Sequence, residues 1–453
     1  MTLRPEGSPL GRLRRRYSRT RERLGDLTAG SLLLFSSQIV GNAGYFVAAV
    51  VLARALPTTE RGTVAFLTLA GLLIGRVTRL GVPEATSVLV ASEPELRRPL
   101  LSNLVTWTIV TSGAAALVVT TVIVTTGWHV AGITSADAVA LGVAIPAVAL
   151  QDAIGGFLVG YGRIAAAAVM GLIEPWCWAA GLAGLWATDS LTPATTVAAW
   201  AAAMLVSIGV RARSCLKIAP LTFPQRTLLI RSLRFGLPAW IGGISGMVNF
   251  RIDQLLMGFI STEAALGVYA VSVNCSEVLL YLPTATAAAL MPLVARTVDS
   301  ERAERALRAY RGVTIITLLS TAFALALGPF LIPLVFGSRY SASVVPFAIL
   351  AVGSVGWAAT AFFSSALLGS SSPGHSSLGS VASLVVGIAL DVLLIPALGA
   401  TGAAVAATAA FFAGGAVSLM AFRRRYAFSL LDVVPGPEDV RWLIGVMTSM
   451  FRR

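Results

Sequence analysis

Long apolar runs recur along the whole of this 453-residue chain. An α-helix needs about 17 to 25 predominantly apolar residues to cross the roughly 30 Å hydrocarbon core of a bilayer. Twelve runs reach that length, at 29–52, 62–90, 100–124, 138–159, 164–187, 194–210, 236–260, 265–294, 312–336, 344–368, 376–396 and 402–422. The composition agrees, because 56% of the residues are hydrophobic and only 12% are charged, unlike a soluble domain. The sequence therefore predicts a multi-pass membrane protein.

The fold class follows from the length of these runs. Only α-helices and closed β-barrels satisfy their own backbone groups in lipid, and barrel strands are shorter and alternate in polarity. We therefore predict an all-α integral membrane protein of about 12 transmembrane helices in two six-helix lobes. The predicted segments are a basic cytoplasmic N-terminus at 1–28, a first lobe at 29–210, a cytoplasmic linker at 211–235, a second lobe at 236–422, and a cytoplasmic or interfacial C-terminus at 423–453.

The distribution of basic residues predicts the topology. Cytoplasmic loops of membrane proteins hold an excess of Arg and Lys, and with both termini cytoplasmic 28 of the 34 basic residues fall on the inner side. The predicted outer loops hold only Arg54, Arg61 and Arg339. The net charge of +13 is therefore a topology signal, and no nucleic-acid partner is expected. The basic N-terminus either contacts anionic membrane lipids or is a solvated tail.

The inventory of reactive residues argues against an enzyme. The only lysine, Lys217, lies outside any GxxxxGK[ST] phosphate-binding loop, and the two histidines, His129 and His375, form no HExxH motif. The cysteines have no metal-binding or redox spacing. We expect no catalytic residue, no metal and no resident cofactor. Transport or a non-catalytic membrane role remains.

A weak internal repeat accompanies the two predicted lobes. At an offset of 205 residues, Gly62 aligns with Gly267 and Ala65 with Ala270, and a Thr-Glu pair precedes each glycine. Duplicated halves are common in transporters, which bind substrate between the repeats.

Several stretches of the second half carry a family resemblance. They are LRFGLPAWIGGISGMVNFRIDQLLMGF, GVYAVSVN followed by ALMPLVAR, VFGSRYSASVVPFAIL, and ALLGSSSPGHSSLGSVASLVVGIALDVLLIPALGATGAAVAAT. These resemble the seventh to twelfth helices of the polysaccharide-flippase branch of the multidrug/oligosaccharidyl-lipid/polysaccharide exporter superfamily. The chain departs from that pattern in GSSSPGHSS, where many relatives have a basic residue, and in Asp391, where an Asn is expected.

The resemblance implies a function. It implies a flippase of a bacterial plasma membrane that moves polyprenyl-pyrophosphate-linked oligosaccharide from the inner to the outer leaflet for cell-surface polysaccharide assembly. Glycan polymerases or glycosyltransferases are the protein partners that such a role implies. Two alternatives stay open at this point: a cation-coupled multidrug exporter of the same superfamily, and a non-transporting scaffold of a glycan-assembly complex.

Charged residues inside the apolar runs are the candidate site. Arg251 and Asp253 stand two apart in VNFRIDQLL, and an arginine at the bilayer centre costs about 2.5 to 3.5 kcal/mol on insertion scales. Residues two apart on a helix point in different directions. We therefore expect one to face a water-filled cavity and Glu277 to be the partner of Arg251.

Arg76 and Arg79 form a second pair. Their spacing of three residues puts them on one helix face, and two guanidinium groups suit a pyrophosphate, because each matches phosphate oxygens with parallel hydrogen bonds. The alternative is that the second helix ends near Ile74, which leaves both arginines in an inner loop.

The remaining intramembrane acids are Asp152, Glu174 and Asp391. With Asp253 and Glu277 they are candidates either for binding a coupling proton or Na+ or for structural ion pairing, since buried charges are usually paired.

Overall fold

A computed structural model describes residues 36–126, 132–296, 299–369, 373–426, 428–439 and 441. The basic segment predicted at 1–28 and the part of the predicted C-terminal segment that follows residue 441 lie outside these residues. Throughout the described part the regular structure is helical, without a β-strand. The predicted all-α class is confirmed.

Fifteen helices are described in the chain. In the first half they are α1 (Ser36–Ala55), α2 (Thr58–Val77), α3 (Val82–Ser92), α4 (Arg97–Thr126), α5 (Ser135–Gly160), α6 (Ile164–Met170), α7 (Ile173–Ala187) and α8 (Pro193–Ile218). In the second half they are α9 (Arg226–Asn249), α10 (Ile252–Ile260), α11 (Glu263–Arg296), α12 (Asp299–Phe336), α13 (Val344–Gly369), α14 (Pro373–Ser376) and α15 (Leu378–Tyr426).

Among the described residues, nine helices are long and apolar enough to cross a membrane. The bent pair α2 and α3 makes a tenth. The run predicted at 236–260 corresponds to two helices, α9 and α10, which are separated by Phe250 and Arg251. An integral membrane protein is thus confirmed, while the count of twelve spans and the position of the termini stay predictions.

The runs predicted at 376–396 and 402–422 lie together in α15, which breaks at Gly399 (φ 53°, ψ −127°). A continuous helix of that length would measure about 73 Å, far more than a bilayer. Instead its two halves fold back on each other. A Cβ at Gly387 would lie 3.4 Å from Ala410, and one at Gly379 would overlap Ser418. The halves of α15 are therefore antiparallel.

The linker predicted at 211–235 is mostly helical, and its cytoplasmic position stays a prediction. Helix α8 continues to Ile218 and α9 begins at Arg226, so only 219–225 is non-helical. The basic residues of this region suggested a loop, but all six lie on helices: three on α8, which ends just before Pro220, whose ring cannot continue it, and three on α9. One of them, Arg211, is buried at 8% exposure.

Glycines bring the backbones of the two lobes into close contact at two seams. We call the first the outer seam, after the side on which the basic-residue distribution predicts it to lie. It joins α2 to α11, where a Cβ at Gly62 would overlap the carbonyl oxygen of Glu263 and one at Gly267 would overlap that of Thr58. Gly62 and Gly267 differ by 205 residues, and so do Thr58 and Glu263, which is the offset of the sequence repeat. The outer seam is thus a pseudo-symmetric contact between equivalent helices, and it supports a duplicated fold.

We call the second contact the inner seam. Gly81, at φ 82°, lies so close to Gly236 on α9 that a Cβ on either residue would overlap the other's backbone. Nearby, the two guanidinium nitrogens of Arg231 on α9 bind both carboxylate oxygens of Glu93 at 2.5 and 2.9 Å. These hydrogen bonds hold the pKa of Glu93 below its usual value. The inner seam therefore combines close backbone packing with a bidentate ion pair.

The C-terminal segment is tied to the second lobe by Arg311 on α12. Its guanidinium binds the Asp439 carboxylate at 2.8 Å and the Asp432 carbonyl oxygen at 2.7 Å. Burial works to raise the pKa of Asp439, but the Gly436 backbone N–H and Arg311 outweigh it and lower that pKa.

Candidate functional site

The first part of the site lies where α2 bends by 52° into α3. Leu80 and Gly81 both have positive φ, and Pro83 opens α3, so the helix ladder cannot run through. Two indole N–H groups satisfy carbonyl oxygens at the bend: Trp107 donates to Arg79 and Trp240 donates to Arg76, each at 3.1 Å. The sequence GVPE signals this break, although the run 62–90 was predicted as one span.

Arg76 and Arg79 converge on one carboxylate. Arg76 Nε lies 3.0 Å and Arg79 Nη1 3.3 Å from the same oxygen, Oδ2 of Asp152 on α5. Glu84 lies 3.9 Å from Arg79. Arg76 is in the last turn of α2 and Arg79 is in the bend itself, so the pair occupies a broken helix. Asp152 holds the two guanidinium groups side by side.

Arg76 faces the second lobe. Its side chain is 36% exposed, against 10% for Arg79, and its Nη1 lies 3.2 Å from the sulfur of Met247 on α9. With Trp240 bound to its carbonyl oxygen, Arg76 lies at the junction between the lobes.

The second part of the site lies at the break between α9 and α10. Arg251 has non-helical backbone angles (φ −131°, ψ −5°), and its Nη1 lies 2.6 Å from Oε1 of Glu277 on α11. This is the partner expected from the sequence. The helix was expected to be continuous here, and the break instead gives Arg251 freedom to turn away from α10. Both side chains are about a quarter exposed, at 28% and 25%.

Asp253 turns in a different direction from Arg251, as their spacing predicts. One of its carboxylate oxygens accepts a 2.5 Å hydrogen bond from the Tyr269 hydroxyl, and the other accepts the Gln254 backbone N–H at 2.7 Å. Tyr269 was not predicted, because an aromatic residue in an apolar run carries no polar signal.

Asp391, on α15, lies close to Asp253, on α10. A cavity of about 30 Å³ separates these helices, and both carboxylates and Ser383 line it. Asp391 is 1% exposed, and neither its Oδ1 nor the Ser383 hydroxyl has a hydrogen-bond partner among the described residues. A space of this size holds about one or two waters or one small cation. The sequence predicted the depth of Asp391 but not its pairing with Asp253.

Glu174 forms a separate polar cluster in the first lobe. It is 2% exposed and accepts hydrogen bonds from the Tyr45 hydroxyl, from Gln151 at 3.4 Å and from the Trp200 indole at 3.0 Å. Three donors around one carboxylate offset the cost of burying it.

Arg211 is the residue that sequence reasoning placed wrongly. It was counted among the inner-loop charges, but it is buried beside this cluster and donates to the Gln151 carbonyl oxygen at 3.1 Å. Glycines make room for it, since a Cβ at Gly155 would lie 2.7 Å from its Nη1. Charge counting cannot distinguish such a residue from a loop arginine.

The site therefore presents guanidinium groups from both lobes at their junction, each held by a carboxylate from its own lobe. Within the described residues, no three His, Cys, Asp or Glu side chains form a metal-binding group. The arrangement is suited to anions between the lobes and to a small cation at Asp253 and Asp391.

The fold is similar to that of several solved membrane proteins. The chain is similar to a lipid II flippase, MurJ, in an inward closed conformation, with a TM-score of 0.73 and 12% identity over 93% of each chain. It is similar to an inward-facing multidrug resistance MATE family transporter of the MOP superfamily, with a TM-score of 0.66 and 15% identity over 85% of this chain and 94% of that one. An outward-facing MATE structure matches with a TM-score of 0.57 at 15% identity over 89% and 94%. At these identities the likeness establishes the fold alone.

Part of the chain also matches a family of sequences. Residues 166–345 match the model of a family described as polysaccharide biosynthesis protein. Among curated proteins, no sequence matches this chain significantly. These matches support the family resemblance predicted from the second-half motifs.

Proposed function

We propose that this protein flips polyprenyl-pyrophosphate-linked oligosaccharide from the inner to the outer leaflet of a bacterial plasma membrane. The glycan and pyrophosphate pass between the lobes while the polyprenyl chain stays in lipid. Arg251, Arg76 and Arg79 hold the phosphates. Glycan polymerases and glycosyltransferases supply and consume this substrate and are the expected protein partners.

One observation carries the proposal: arginines from both lobes stand at helix breaks near the lobe junction. Within the described residues Arg76 uses two of its five N–H groups, on Asp152 and Met247, and Arg251 is a quarter exposed beside Glu277. Guanidinium groups that are fixed by a carboxylate but keep free donors are preorganised for phosphate oxygens. A cationic drug would be repelled by the same groups, which favours a glycan-lipid substrate over the multidrug alternative.

A reconstitution assay tests this function. We expect the full-length protein in proteoliposomes to move a fluorescent polyprenyl-pyrophosphate disaccharide between leaflets, measured as the fraction that a membrane-impermeant reductant bleaches. Protein-free vesicles should bleach only in their outer leaflet. Movement of a cationic dye in place of the glycan lipid would favour the multidrug exporter. Movement of neither, by a protein that is folded and still binds assembly partners, would favour the scaffold.

We further propose that Asp253 and Asp391 bind the coupling cation, a proton or Na+. The two carboxylates share the small cavity, and Asp391 Oδ1 lacks a hydrogen-bond donor among the described residues. Asp253 lies two residues from Arg251 on the broken α9 and α10 segment. Binding of a cation by these two carboxylates neutralises their negative charge. It therefore changes the electrostatic field at Arg251, which is proposed to bind the phosphates. Asp152 and Glu174 are proposed as structural partners of arginines and aromatic donors.

Replacing Asp391 with asparagine should uncouple transport from the ion gradient. We expect transport by the wild type to accelerate under an imposed Na+ or proton gradient, and that acceleration to disappear in the Asp391→Asn variant while exchange without a gradient persists. The matched control is Asp189→Asn, at an exposed position with φ 50°, where Asn is tolerated. Gradient-dependent transport that survives in the Asp391 variant would place coupling elsewhere.

A further inference from the structure

A second group of arginines lies away from the proposed transport site, where three membrane spans end together. Helices α1, α7 and α12 end at Ala55, Ala187 and Phe336. A cavity of about 360 Å³ opens between these ends. It is lined by Arg54 and Trp186 from the first lobe and by Phe336, Gly337, Ser338 and Arg339 from the second.

The two arginines hold the lobes together through backbone carbonyl oxygens. Arg54 Nε donates to Val335 at 2.8 Å and its Nη2 donates to Leu334, at the C-terminal end of α12. In return, Arg339 donates to Leu56 at 3.1 Å and to the Arg54 carbonyl oxygen at 3.5 Å, at the end of α1. Helix C-termini carry partial negative charge and favour such contacts. Both guanidinium groups are thereby fixed at the cavity.

Among the described residues, these contacts leave most of the N–H groups of Arg54 and Arg339 without an acceptor. A guanidinium has five N–H groups, and each arginine here uses two of them on carbonyl oxygens. Unlike Arg76, Arg251 and Arg311, neither forms an ion pair with a carboxylate within the described part of the chain. Two positive charges therefore face one cavity, and no carboxylate of the described residues lies within 4.0 Å of either.

The position of the cavity indicates which anion could balance the charge of Arg54 and Arg339. It lies at the ends of apolar helices, and the Trp186 side chain, 46% exposed, has the placement typical of aromatic residues at the headgroup level. Lipid phosphates lie at that depth. Because translocated loops are depleted of arginine, two arginines retained together on the predicted outer face are unusual.

We propose that Arg54 and Arg339 form a phosphate-ester site that takes the headgroup phosphate of an outer-leaflet lipid. The ligand binds between the lobes, so it bridges guanidinium groups of the first and second lobe and adds to the contact between the ends of α1 and α12. Free phosphate carries the same chemistry. This site is independent of the proposed transported substrate, since it uses none of the arginines of the transport site.

The test titrates the purified full-length protein with short-chain phosphatidylglycerol and, separately, with inorganic phosphate. The readout is the fluorescence of Trp186, obtained as the difference between the wild type and a Trp186→Phe variant. We expect a saturable change. The Arg54→Gln/Arg339→Gln variant should shift its midpoint at least about tenfold, because each charge-assisted hydrogen bond accounts for roughly that factor.

A charge-matched control is available at the opposite end of the second lobe. Arg423→Gln/Arg424→Gln removes the same charge from exposed positions in the last turn of α15, and the Trp186 midpoint should not move. If the Arg54→Gln/Arg339→Gln variant loses its helical circular dichroism, the single Arg339→Gln variant replaces it.

A response to phosphatidylglycerol alone assigns the site to a lipid headgroup, and a response to inorganic phosphate shows that the phosphate group suffices. The proposal would be overturned by the absence of a saturable change with either probe, or by an unchanged midpoint in the Arg54→Gln/Arg339→Gln variant. Arg54 and Arg339 would then serve only as helix caps.

Discussion

Replacing Arg251 with alanine should abolish transport of the glycan lipid while leaving the protein in the membrane. The guanidinium stands at the break between α9 and α10, beside Glu277 at 2.6 Å. A phosphate contact of this kind is worth about 3 kcal/mol, so transport should fall to about 1% of the wild-type rate. The measurement is leaflet movement of the fluorescent glycan lipid in proteoliposomes of equal protein content.

The partner of Arg251 provides the control. Removing one member of a partly buried ion pair leaves the other charge uncompensated and destabilises the protein for reasons unrelated to substrate. The Arg251→Ala/Glu277→Ala double variant removes both charges and this penalty. If Arg251 binds phosphate, the double variant stays inactive. If Arg251 only neutralises Glu277, the double variant regains transport, and the assignment of Arg251 to substrate is wrong.

The pairing of Arg251 with Glu277 could be predicted from sequence because a charge in an apolar run must find a partner or water. The carboxylate one helix further along was the nearest choice. The convergence of Arg76 and Arg79 on Asp152 could not be predicted from sequence, because it depends on how α2 and α5 cross. Sequence spacing describes neighbours on one helix and is silent about which residues meet between helices.

Helix breaks were the main feature that hydropathy missed. The α2 and α3 break carries a visible signal, in Gly81 and Pro83. The break at Phe250 and Arg251 has neither Gly nor Pro, so an apolar run passes through it unmarked. Average hydropathy depends on which side chains are present, whereas a break depends on backbone angles that tertiary contacts impose.

The internal repeat illustrates how little sequence a duplicated fold has to retain. Gly62 and Gly267 were among few matches at an offset of 205 residues. In the structure they lie at the same crossing, each facing the backbone of the opposite helix. Glycine is required at both positions because any Cβ would overlap a carbonyl oxygen, whereas lipid-facing positions tolerate many apolar residues and diverge.

Alanine at both Gly62 and Gly267 should open the outer seam. Neither Cβ fits against the Glu263 and Thr58 carbonyl oxygens, and overpacking of this kind costs about 1 to 3 kcal/mol. Such a change shifts a two-state equilibrium by roughly 5- to 150-fold. We expect a larger population with separated outer ends, measured as a longer component in electron-spin distance distributions between labels at Ser190 and Ser338. The three native cysteines, which are unbridged, are replaced beforehand.

Two further glycines make this a matched experiment. A Cβ at Gly184 or Gly209 meets nothing within 4 Å, so the Gly184→Ala/Gly209→Ala variant adds the same two methyl groups without touching a seam and should keep the wild-type distribution. Gly236→Ala crowds the inner seam against Gly81 and should separate the inner ends instead. If the outer and inner variants shift the labels in the same way, the seams do not open alternately, and the close glycine contacts serve only to pack the lobes.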